Sequence, residues 1–387
     1  MRIVHTSDWH AGRIWKGHDR LDELAAVLDN LARFVERERV HLLLMSGDVF
    51  DAHHPSADAE RVVFEFFKRV GRAGVQSVVI AGNHDHPARL EAWGTLAELV
   101  NVHTRGLPKS RAQGGLVELR AAGERALVAA VPFAPAGRLV SATQLAGDET
   151  LAVQRYADGM RQILDHLAAG FSRDAVNLLI AHTHVAGAVL AQHDRSERSV
   201  HLGEEWAITA QTIPETAHYV GLGHIHKPQR VEAAAVPAFY AGSAMQLDFG
   251  EAGQDKSFVL IEASPGKPAA FEHVPYEGAR PLIDVRLTLD EIETQADRLR
   301  TLGHIRVTVP VAAVDPEINR RVRTLLPNAV AVPVELPEPA EAPLARPGAD
   351  APPRELFAAY FRRVHDSDPL DDVLAEFDRL YESVASS

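Results

Sequence analysis

Short apolar runs alternate with longer amphipathic segments through the first half of the chain. The four apolar residues at 42–45 lie between turn-forming residues and are too few for a separate helix, so they predict a strand buried on both faces. Alternation of strands with helical segments is typical of βαβ units. The predicted elements are strands at 2–7, 41–46 and 76–81 and helices near 19–39, 57–73 and 88–98.

The pattern changes twice in the second half. A strand at 176–181 and the short β-like runs after it complete a predicted α/β domain of two mixed sheets over residues 1–276. Residues 281–336 follow the order strand, helix, strand, helix, strand, which predicts a small accessory domain. The proline-rich stretch 337–353 predicts an extended, semi-rigid linker. Residues 354–387 have the pattern of amphipathic helices.

Composition narrows the class of protein. The 387 residues are too many for one ordinary core, and 46% hydrophobic with 24% charged residues predict a globular protein. Without cysteine, any metal must be held by oxygen and imidazole ligands. The sequence offers no membrane-spanning run and begins with a strand, so we expect a cytoplasmic protein without membrane contact. The net charge of -13 argues against nucleic-acid binding over the whole surface, but not at a locally positive site.

Metal-ligand side chains follow several predicted strands where each strand ends. Asp8 and His10 are two residues apart, as are His224 and His226, and in extended chain such pairs point the same way. Each pair alone is weak evidence, because histidines beside turns are common at protein surfaces. Their combination in one chain is not expected by chance. The full set is Asp8, His10, Asp48, Asn83, His84, Asp85, His182, His224 and His226.

This set contains too many ligands for one ion. A single bridging carboxylate would hold two divalent cations about 3.5–4 Å apart. Two cations against Asp8 and Asp48 would leave the centre positive, so that an acidic protein can receive a phosphate. Oxygen and imidazole ligands suit manganese, iron or zinc better than magnesium, and manganese is our preference. We therefore expect metal-assisted hydrolysis of a phosphoester.

Five short motifs carry a resemblance to a known superfamily. They are Asp8-Trp9-His10, Gly47-Asp48, Gly82-Asn83-His84-Asp85, His182 and Gly223-His224-Ile225-His226. Together they resemble the calcineurin-like metallophosphoesterases. The phrases at 5–12, 47–51 and 240–243, with Phe249 and Glu251, are similar to DNA-repair nucleases of this superfamily that work with a coiled-coil ATPase.

The resemblance implies both an architecture and an activity. The architecture is a β-sandwich core flanked by helices, a capping domain at 281–336 and a C-terminal segment, 354–387, that docks on the ATPase. The activity is a manganese-dependent DNA nuclease, acting as exonuclease on duplex ends and endonuclease on single strands or hairpins. It would serve double-strand break repair and recombination at the nucleoid.

The resemblance also implies a role for each residue by its position. One metal ion would be held by Asp8, His10, Asp48 and His226, and the other by Asp48, Asn83, His182 and His224, with Asp48 bridging. His84 would stabilise the transition state or protonate the leaving oxygen, and Asp85 would orient the His84 ring. No role follows for Asp51, His53 and His54.

Two other functions stay open from the sequence. One is a phosphoesterase acting on phosphoproteins or small nucleotides, and the other is a scaffold with a structural metal site. The scaffold is disfavoured, because a structural site needs neither His84 nor an open face. The capping domain and the C-terminal helices favour the nuclease, since a hydrolase of small substrates would not need them.

Apolar surfaces predict partners. Residues 370, 373, 374, 377, 380 and 381 form a helical stripe that needs another surface, either this protein's own core or the ATPase. The chain has no phosphate-binding loop of the Gly-x4-Gly-Lys type, so any dependence on ATP must come from the partner. The helices near 57–73 and 88–98 carry aromatic residues that suit a homodimer, and core packing explains them equally well.

Overall fold

The computed structural model describes residues 1–139, 149–189, 206–313, 315–336, 352–365 and 368–385. The predicted linker 337–353 lies outside these residues except for its last two. The helices are α1 Leu21–Arg37, α2 Ala57–Arg72, α3 Pro87–Ala97, α4 Ala136–Leu139, α5 Glu149–Ala168, α6 Leu289–Arg300, α7 Ile318–Leu325, α8 Pro353–His365 and α9 Asp371–Ala385. The strands are β1 Arg2–Thr6, β2 Ile14–Trp15, β3 His18–Asp19, β4 Leu42–Met45, β5 Gln76–Ile80, β6 Val102–Arg105, β7 Leu116–Ala121, β8 Glu124–Val131, β9 Val176–His182, β10 His184–Val185, β11 Ala207–Ile208, β12 Tyr219–Gly223, β13 Gln229–Arg230, β14 Ala238–Tyr240, β15 Ser257–Glu262, β16 Ala270–Pro275, β17 Leu282–Arg286, β18 His304–Pro310, β19 Ala329–Ala331 and β20 Val334–Glu335.

Two six-stranded sheets lie at the centre of the fold. The first runs in the order β16-β15-β1-β4-β5-β6 and the second in the order β13-β14-β12-β9-β8-β7. Four adjacent strands of each sheet are parallel, namely β1, β4, β5 and β6 in the first and β14, β12, β9 and β8 in the second. The strands outside these groups pair antiparallel, so both sheets are mixed.

Strand β4 shows how the sheets and helices form one sandwich. Its residues are all buried, and alternate side chains point to opposite faces. Leu42 and Leu44 pack in the core between the two sheets, with Leu178 of β9. Leu43 and Met45 pack against the helices on the outer face. The prediction of a strand buried on both faces is confirmed, as is the fold class of two mixed sheets flanked by helices.

The amphipathic helices cover the outer faces of the sandwich. In α1 the buried residues recur at helical spacing, and they pack on the first sheet. Tyr156, Met160 and Leu164 of α5 pack on the second sheet in the same way. The buried residues of α1 are Leu24, Val27, Leu28, Leu31, Ala32 and Val35.

The parallel strand order decides where the candidate site lies. Parallel neighbours bring their carboxyl ends to one edge of a sheet, which is where open α/β sheets bind ligands. Strands β1, β4 and β5 lead directly to Asp8, Asp48 and Asn83. Strands β9 and β12, which pair in parallel with Gly223 opposite His182, end at His182 and His224. The two sheets therefore contribute ligands to the same end of the sandwich.

Residues 282–331 form a separate small sheet. Strands β17, β18 and β19 are parallel in that order, and α6 and α7 connect them. This is the strand and helix order that the sequence predicts. The described residues of 1–309 and 315–334 belong to one compact unit, which therefore includes this small sheet. The boundaries between the predicted domains stay a prediction.

The C-terminal helices α8 and α9 belong to a second compact unit. The rings of Phe357 and Phe377 stack with their centroids 4.3 Å apart and their planes 9° apart, and Arg354 pairs with Asp378. The two helices thus form an antiparallel pair of their own with an aromatic contact between them. Within the described residues, no helix is both long and apolar enough to cross a membrane.

A buried histidine connects the two sheets. His5 of β1 is fully buried, with Nε2 at 2.9 Å from Ser46 Oγ and Nδ1 at 2.9 Å from the Tyr219 hydroxyl. Because Ser46 Oγ donates to the carbonyl of Gly221 at 3.1 Å, it accepts from His5 Nε2, and Nδ1 accepts from Tyr219. Burial lowers the pKa of His5 to about 3, so the ring is neutral in the folded protein.

We expect His5 to make the fold sensitive to acid. Its pKa rises from about 3 to the ordinary value of 6.5 on unfolding, so the unfolded chain binds an extra proton between these pH values. Stability should fall by up to about 1.4 kcal/mol for each pH unit below 6.5. Denaturant midpoints at pH 7 and pH 5 should differ less in His5→Gln than in the wild type, whereas His53→Gln at an exposed position should leave the difference unchanged. An equal pH dependence in all three proteins would contradict this.

Candidate metal centre

Unusual backbone conformations present the ligands at the strand ends. Asp8, His10, Asp48 and His224 have positive φ angles of 52°, 47°, 51° and 98°. This left-handed region is uncommon for residues other than glycine, and strain of this kind is concentrated at functional sites. Backbone bonds hold the loops in place, since Asp8 N donates to Gly47 O at 3.0 Å and His10 N donates to Asp48 O at 3.1 Å.

One group of ligands gathers around His10. Asp8, His10 and His226 each offer a ligand atom within 4.8 Å of the others, and all three are buried. The Nε2 atoms of His10 and His226 are 3.1 Å apart. Asp48 Oδ2 lies 3.6 Å from His10 Nε2, which brings the fourth predicted ligand to the same group.

The other group gathers around His182. Asp8, Asp48 and His182 have ligand atoms within 4.8 Å of one another, with Asp48 Oδ2 at 3.4 Å from His182 Nε2. Asn83 Oδ1 lies 2.9 Å from His182 Nε2 and 2.9 Å from His224 Nδ1. Asp48 thus contacts both groups. The structure brings all seven sequence-predicted ligands together.

The second ring nitrogen of three histidines is held by the surrounding protein. His10 Nδ1 donates to Asp51 Oδ1 at 3.1 Å, and His182 Nδ1 donates to the carbonyl of Ser46 at 2.8 Å. His226 Nδ1 donates to Glu251 Oε1 at 3.0 Å. Bonds of this kind orient metal-binding histidines and fix the tautomer, so that Nε2 carries the lone pair.

These bonds provide a test of whether the residues fit a metal ion. With Nδ1 as the donor on both rings, His10 and His226 turn two Nε2 lone pairs toward each other at 3.1 Å, beside the Asp8 and Asp48 carboxylates. A group of acceptors this close repels itself unless a proton or a cation lies among them. Oxygen and imidazole donors are suited to divalent transition metals. The residues therefore fit a divalent metal ion.

The charges of the centre depend on one another. Burial alone would raise the pKa of Asp48, but His182 and His10 hold it well below its usual range. Burial alone would lower the pKa of His182, but the Asp48 carboxylate raises it to about 9. Burial lowers the pKa of His10. Asp48 and His182 form an ion pair at neutral pH, so a cation that binds His182 must displace a proton.

The structure places His84 at the centre but corrects the predicted role of Asp85. The backbone N of His84 donates to Asp48 Oδ1 at 2.9 Å, and its ring lies within 4.8 Å of the ligand atoms of His10 and Asp48. The prediction that Asp85 orients the His84 ring is wrong, because His84 Nδ1 donates to the carbonyl of Asp51 at 2.8 Å.

Asp85 is bound instead to the backbone of two neighbouring loops. Its carboxylate accepts from the amides of Gly82, Phe50 and Val49 at 2.9, 3.0 and 3.2 Å. Burial, with the nearby charge of Asp48, raises the pKa of Asp85 to about 6. Asp85 therefore holds the loop after β5 against the loop after β4 and thereby positions Asn83 and His84.

Sequence reasoning missed three of the groups that orient the ligands. Asp51 has no predicted role, although its side chain binds His10 and its carbonyl binds His84. Glu251 enters the sequence analysis only as part of a similar phrase, without a partner. The carbonyl of Ser46, which holds His182, has no sequence signal because every residue has a carbonyl group.

Comparisons with known proteins agree with this geometry. Residues 1–228 match the family model described as calcineurin-like phosphoesterase. The chain belongs to this family. The recognition made from the sequence motifs is confirmed, and membership of the family makes the protein a hydrolase of phosphoesters.

Curated relatives place the chain more closely within the family. The SbcD chain of the nuclease SbcCD from Bacillus subtilis (strain 168) is 36% identical over 284 residues, which cover 73% of this chain and 71% of the relative. The SbcD chain of the same nuclease from Rhodobacter capsulatus is 31% identical over 394 residues, covering 93% and 94%. The chain is thus a member of the SbcD group, and the predicted class of enzyme, a hydrolase acting on phosphodiester bonds, is confirmed. Among solved structures, a dimetal phosphatase from Danio rerio covers 71% of this chain and 99% of its own at 12% identity, with a TM-score of 0.39.

Proposed function

We propose that this protein is a manganese-dependent DNA nuclease with a two-metal centre that works at the nucleoid with an SbcC-type coiled-coil ATPase. The observation that carries the proposal is the convergence of seven ligands in two groups that share Asp48. The names of the relatives supply the substrate and the partner. Double-strand break repair and recombination are the processes in which such a complex acts.

The two groups of ligands correspond to two ions. Asp8, His10, Asp48 and His226 would hold one ion, and Asp48, Asn83, His182 and His224 the other. When bound, divalent cations polarise phosphate oxygens and make a water molecule more acidic. The carboxylates of Asp8, Asp48, Asp51 and Asp85 would repel a phosphate without this positive charge.

His84 is placed to handle a proton. Its Nδ1 donates to the carbonyl of Asp51, so Nε2 is the ring atom that gives or takes a proton. The backbone bond from His84 N to Asp48 keeps the ring beside the bridging carboxylate. Protonation of the leaving oxygen from this position would favour cleavage of the phosphodiester bond.

The surface of α2 and α3 supports a homodimer. A cavity of about 300 Å³ between these helices is lined almost entirely by apolar side chains. Beside it lie three exposed apolar residues, Phe64, Leu96 and Leu99, with 42%, 72% and 82% of their surface exposed. An exposed apolar patch of this kind is typical of an association surface. A second copy of the chain is the occupant we infer, because a twofold contact lets one patch cover itself.

The C-terminal helices are the inferred docking element for the ATPase, through residues 354–387. Leu370 and Leu356 are 74% and 41% exposed, whereas Phe377 is engaged within the helix pair by Phe357. The apolar stripe predicted from the sequence is therefore only partly used within this unit. A coiled-coil partner would cover the remainder.

The proposed activity can be tested with defined substrates. Protein stripped with a chelator should not cleave end-labelled duplex or single-stranded DNA, and manganese should restore cleavage. Asp48→Asn should weaken the binding of both ions, whereas Asp174→Asn at an exposed turn should bind two ions like the wild type. Full activity in chelator, one bound ion per chain, or faster hydrolysis of a phosphopeptide or cyclic nucleotide than of DNA would contradict the proposal.

A second prediction concerns His84. If it acts on the proton of the leaving group, His84→Ala should lower turnover by roughly 10²–10⁴-fold while metal and DNA binding stay as in the wild type. His103→Ala, on strand β6, is the matched control and should keep full turnover. Loss of a metal ion from His84→Ala, measured by metal analysis, would instead identify His84 as a ligand.

Association of the protein is the third test. Light scattering should give the mass of a dimer for the wild type and of a monomer for Leu99→Glu. Leu356→Asp with Leu370→Asp should abolish co-purification with the ATPase and leave manganese-dependent cleavage of simple DNA intact, because these residues lie far along the chain from the ligands. Ala375→Asp, at an exposed position of α9, is the control and should still bind the ATPase. Retained binding in the double variant would show that another surface docks.

A further inference from the structure

A buried ion pair lies behind one of the inferred metal ligands. Glu251 is completely buried, and its Oε2 is 2.6 Å from Lys256 Nζ, which is itself only 8% exposed. Removing both charges from water is costly, and apolar residues of similar size often serve the fold as well or better. Stability of the fold alone therefore gives a weak reason for this pair.

Both members of the pair are bound to His226. Glu251 Oε1 accepts from His226 Nδ1 at 3.0 Å, and Lys256 Nζ donates to the backbone carbonyl of His226 at 2.8 Å. Ser243 N donates to the same carbonyl at 3.0 Å. The ring and the backbone of His226 are thus fixed from one side by a carboxylate and an ammonium group.

The pair is also satisfied by its own loop. Glu251 Oε2 accepts from Leu247 N at 3.1 Å and Ser243 Oγ at 3.3 Å, and Lys256 Nζ donates to Gln254 Oε1 at 3.1 Å. Burial alone would raise the pKa of Glu251, but Lys256 and His226 lower it, so the carboxylate stays charged as the acceptor for His226. Lys256 balances that charge, so the loop places a fixed acceptor behind His226 without adding net charge to the centre.

We propose that Glu251 and Lys256 are positioning residues that keep the Nε2 lone pair of His226 directed at one of the two metal ions. The proposal rests on the two-metal centre of the proposed function. It assigns the pair to the ion held by Asp8, His10, Asp48 and His226, and leaves the ion held by Asn83, His182 and His224 with its shared Asp48 unaffected. Loss of such an outer bond typically costs a metal site 10–100-fold in affinity.

A double variant separates positioning from folding. Glu251→Leu with Lys256→Met removes both charges together, so no buried charge is left unpaired. We expect its metal-free melting temperature to stay close to that of the wild type, while one manganese ion binds about 10–100-fold more weakly and the other binds unchanged. Glu251→Gln retains an oxygen that accepts from His226 Nδ1, so its weaker ion should stay within roughly tenfold of the wild type. Metal binding is measured by calorimetry and by manganese electron paramagnetic resonance.

The control is a carboxylate and ammonium pair elsewhere in the fold. Glu91 Oε2 and Lys109 Nζ are 2.7 Å apart, and Glu91 Oε1 accepts from Gly106 N. Glu91→Leu with Lys109→Met should bind both ions like the wild type. Unchanged binding of both ions by the Glu251 and Lys256 double variant would overturn the inference. Equal weakening of both ions with a lower metal-free melting temperature would also overturn it, because that result indicates a structural role.

A measurement on the wild type needs no variant. In protein loaded with diamagnetic zinc, nitrogen spectra of the histidine rings should show His226 with its proton on Nδ1. A proton on Nε2 would overturn the inference even if the double variant did not fold. If the wild type binds fewer than two ions, the proposed two-metal function fails. If it binds two and the double variant binds them equally well, only the positioning inference fails.

Discussion

The two sheets approach each other so closely at their carboxyl ends that glycine alone fits there. A Cβ on Gly223 would lie 2.1 Å from the carbonyl of Ser46, and one on Gly221 would lie 2.9 Å from the His5 ring. A Cβ on Gly82 would lie 2.0 Å from Asp48 Oδ1. This approach lets Asp48 of the first sheet reach His182 of the second at 3.4 Å. Larger side chains would separate the sheets and thereby divide the ligand set.

Close approach also demands unusual backbone. The ligands must turn away from their strands within one or two residues, and four of them do so at positive φ. Such conformations cost of order 1 kcal/mol or more each and persist only where the surroundings fix them. Here the bonds from Asp8 N to Gly47 O and from His10 N to Asp48 O provide that support, and Asp85 adds bonds to the amides of Val49 and Phe50. The support for the ligands is therefore largely backbone, with side chains added from behind.

This division explains what the sequence could and could not predict. The ligands follow strand ends, and strand ends are visible as apolar runs that stop at polar residues, so all seven could be listed. The orienting bonds join distant parts of the chain without any local pattern. Proximity in sequence suggested that Asp85 serves His84, but the turn between them sends Asp85 to backbone amides, and Asp51 supplies the carbonyl that holds the ring. Tertiary contacts of this kind have no signature in a single sequence.

The small sheet of residues 282–331 is attached to the same loop that carries Glu251. Phe249, two residues before Glu251, packs with Trp15 and with Leu282 at the start of the small sheet. Arg20, which is buried, donates to the carbonyls of Gln246 and Arg280, and so joins this loop to the chain that enters the small sheet. The loop can move only if these contacts are released. The seating of the small sheet and the position of His226 therefore depend on one set of contacts, and the ion bound by His226 is the one that would respond first to a change in that seating.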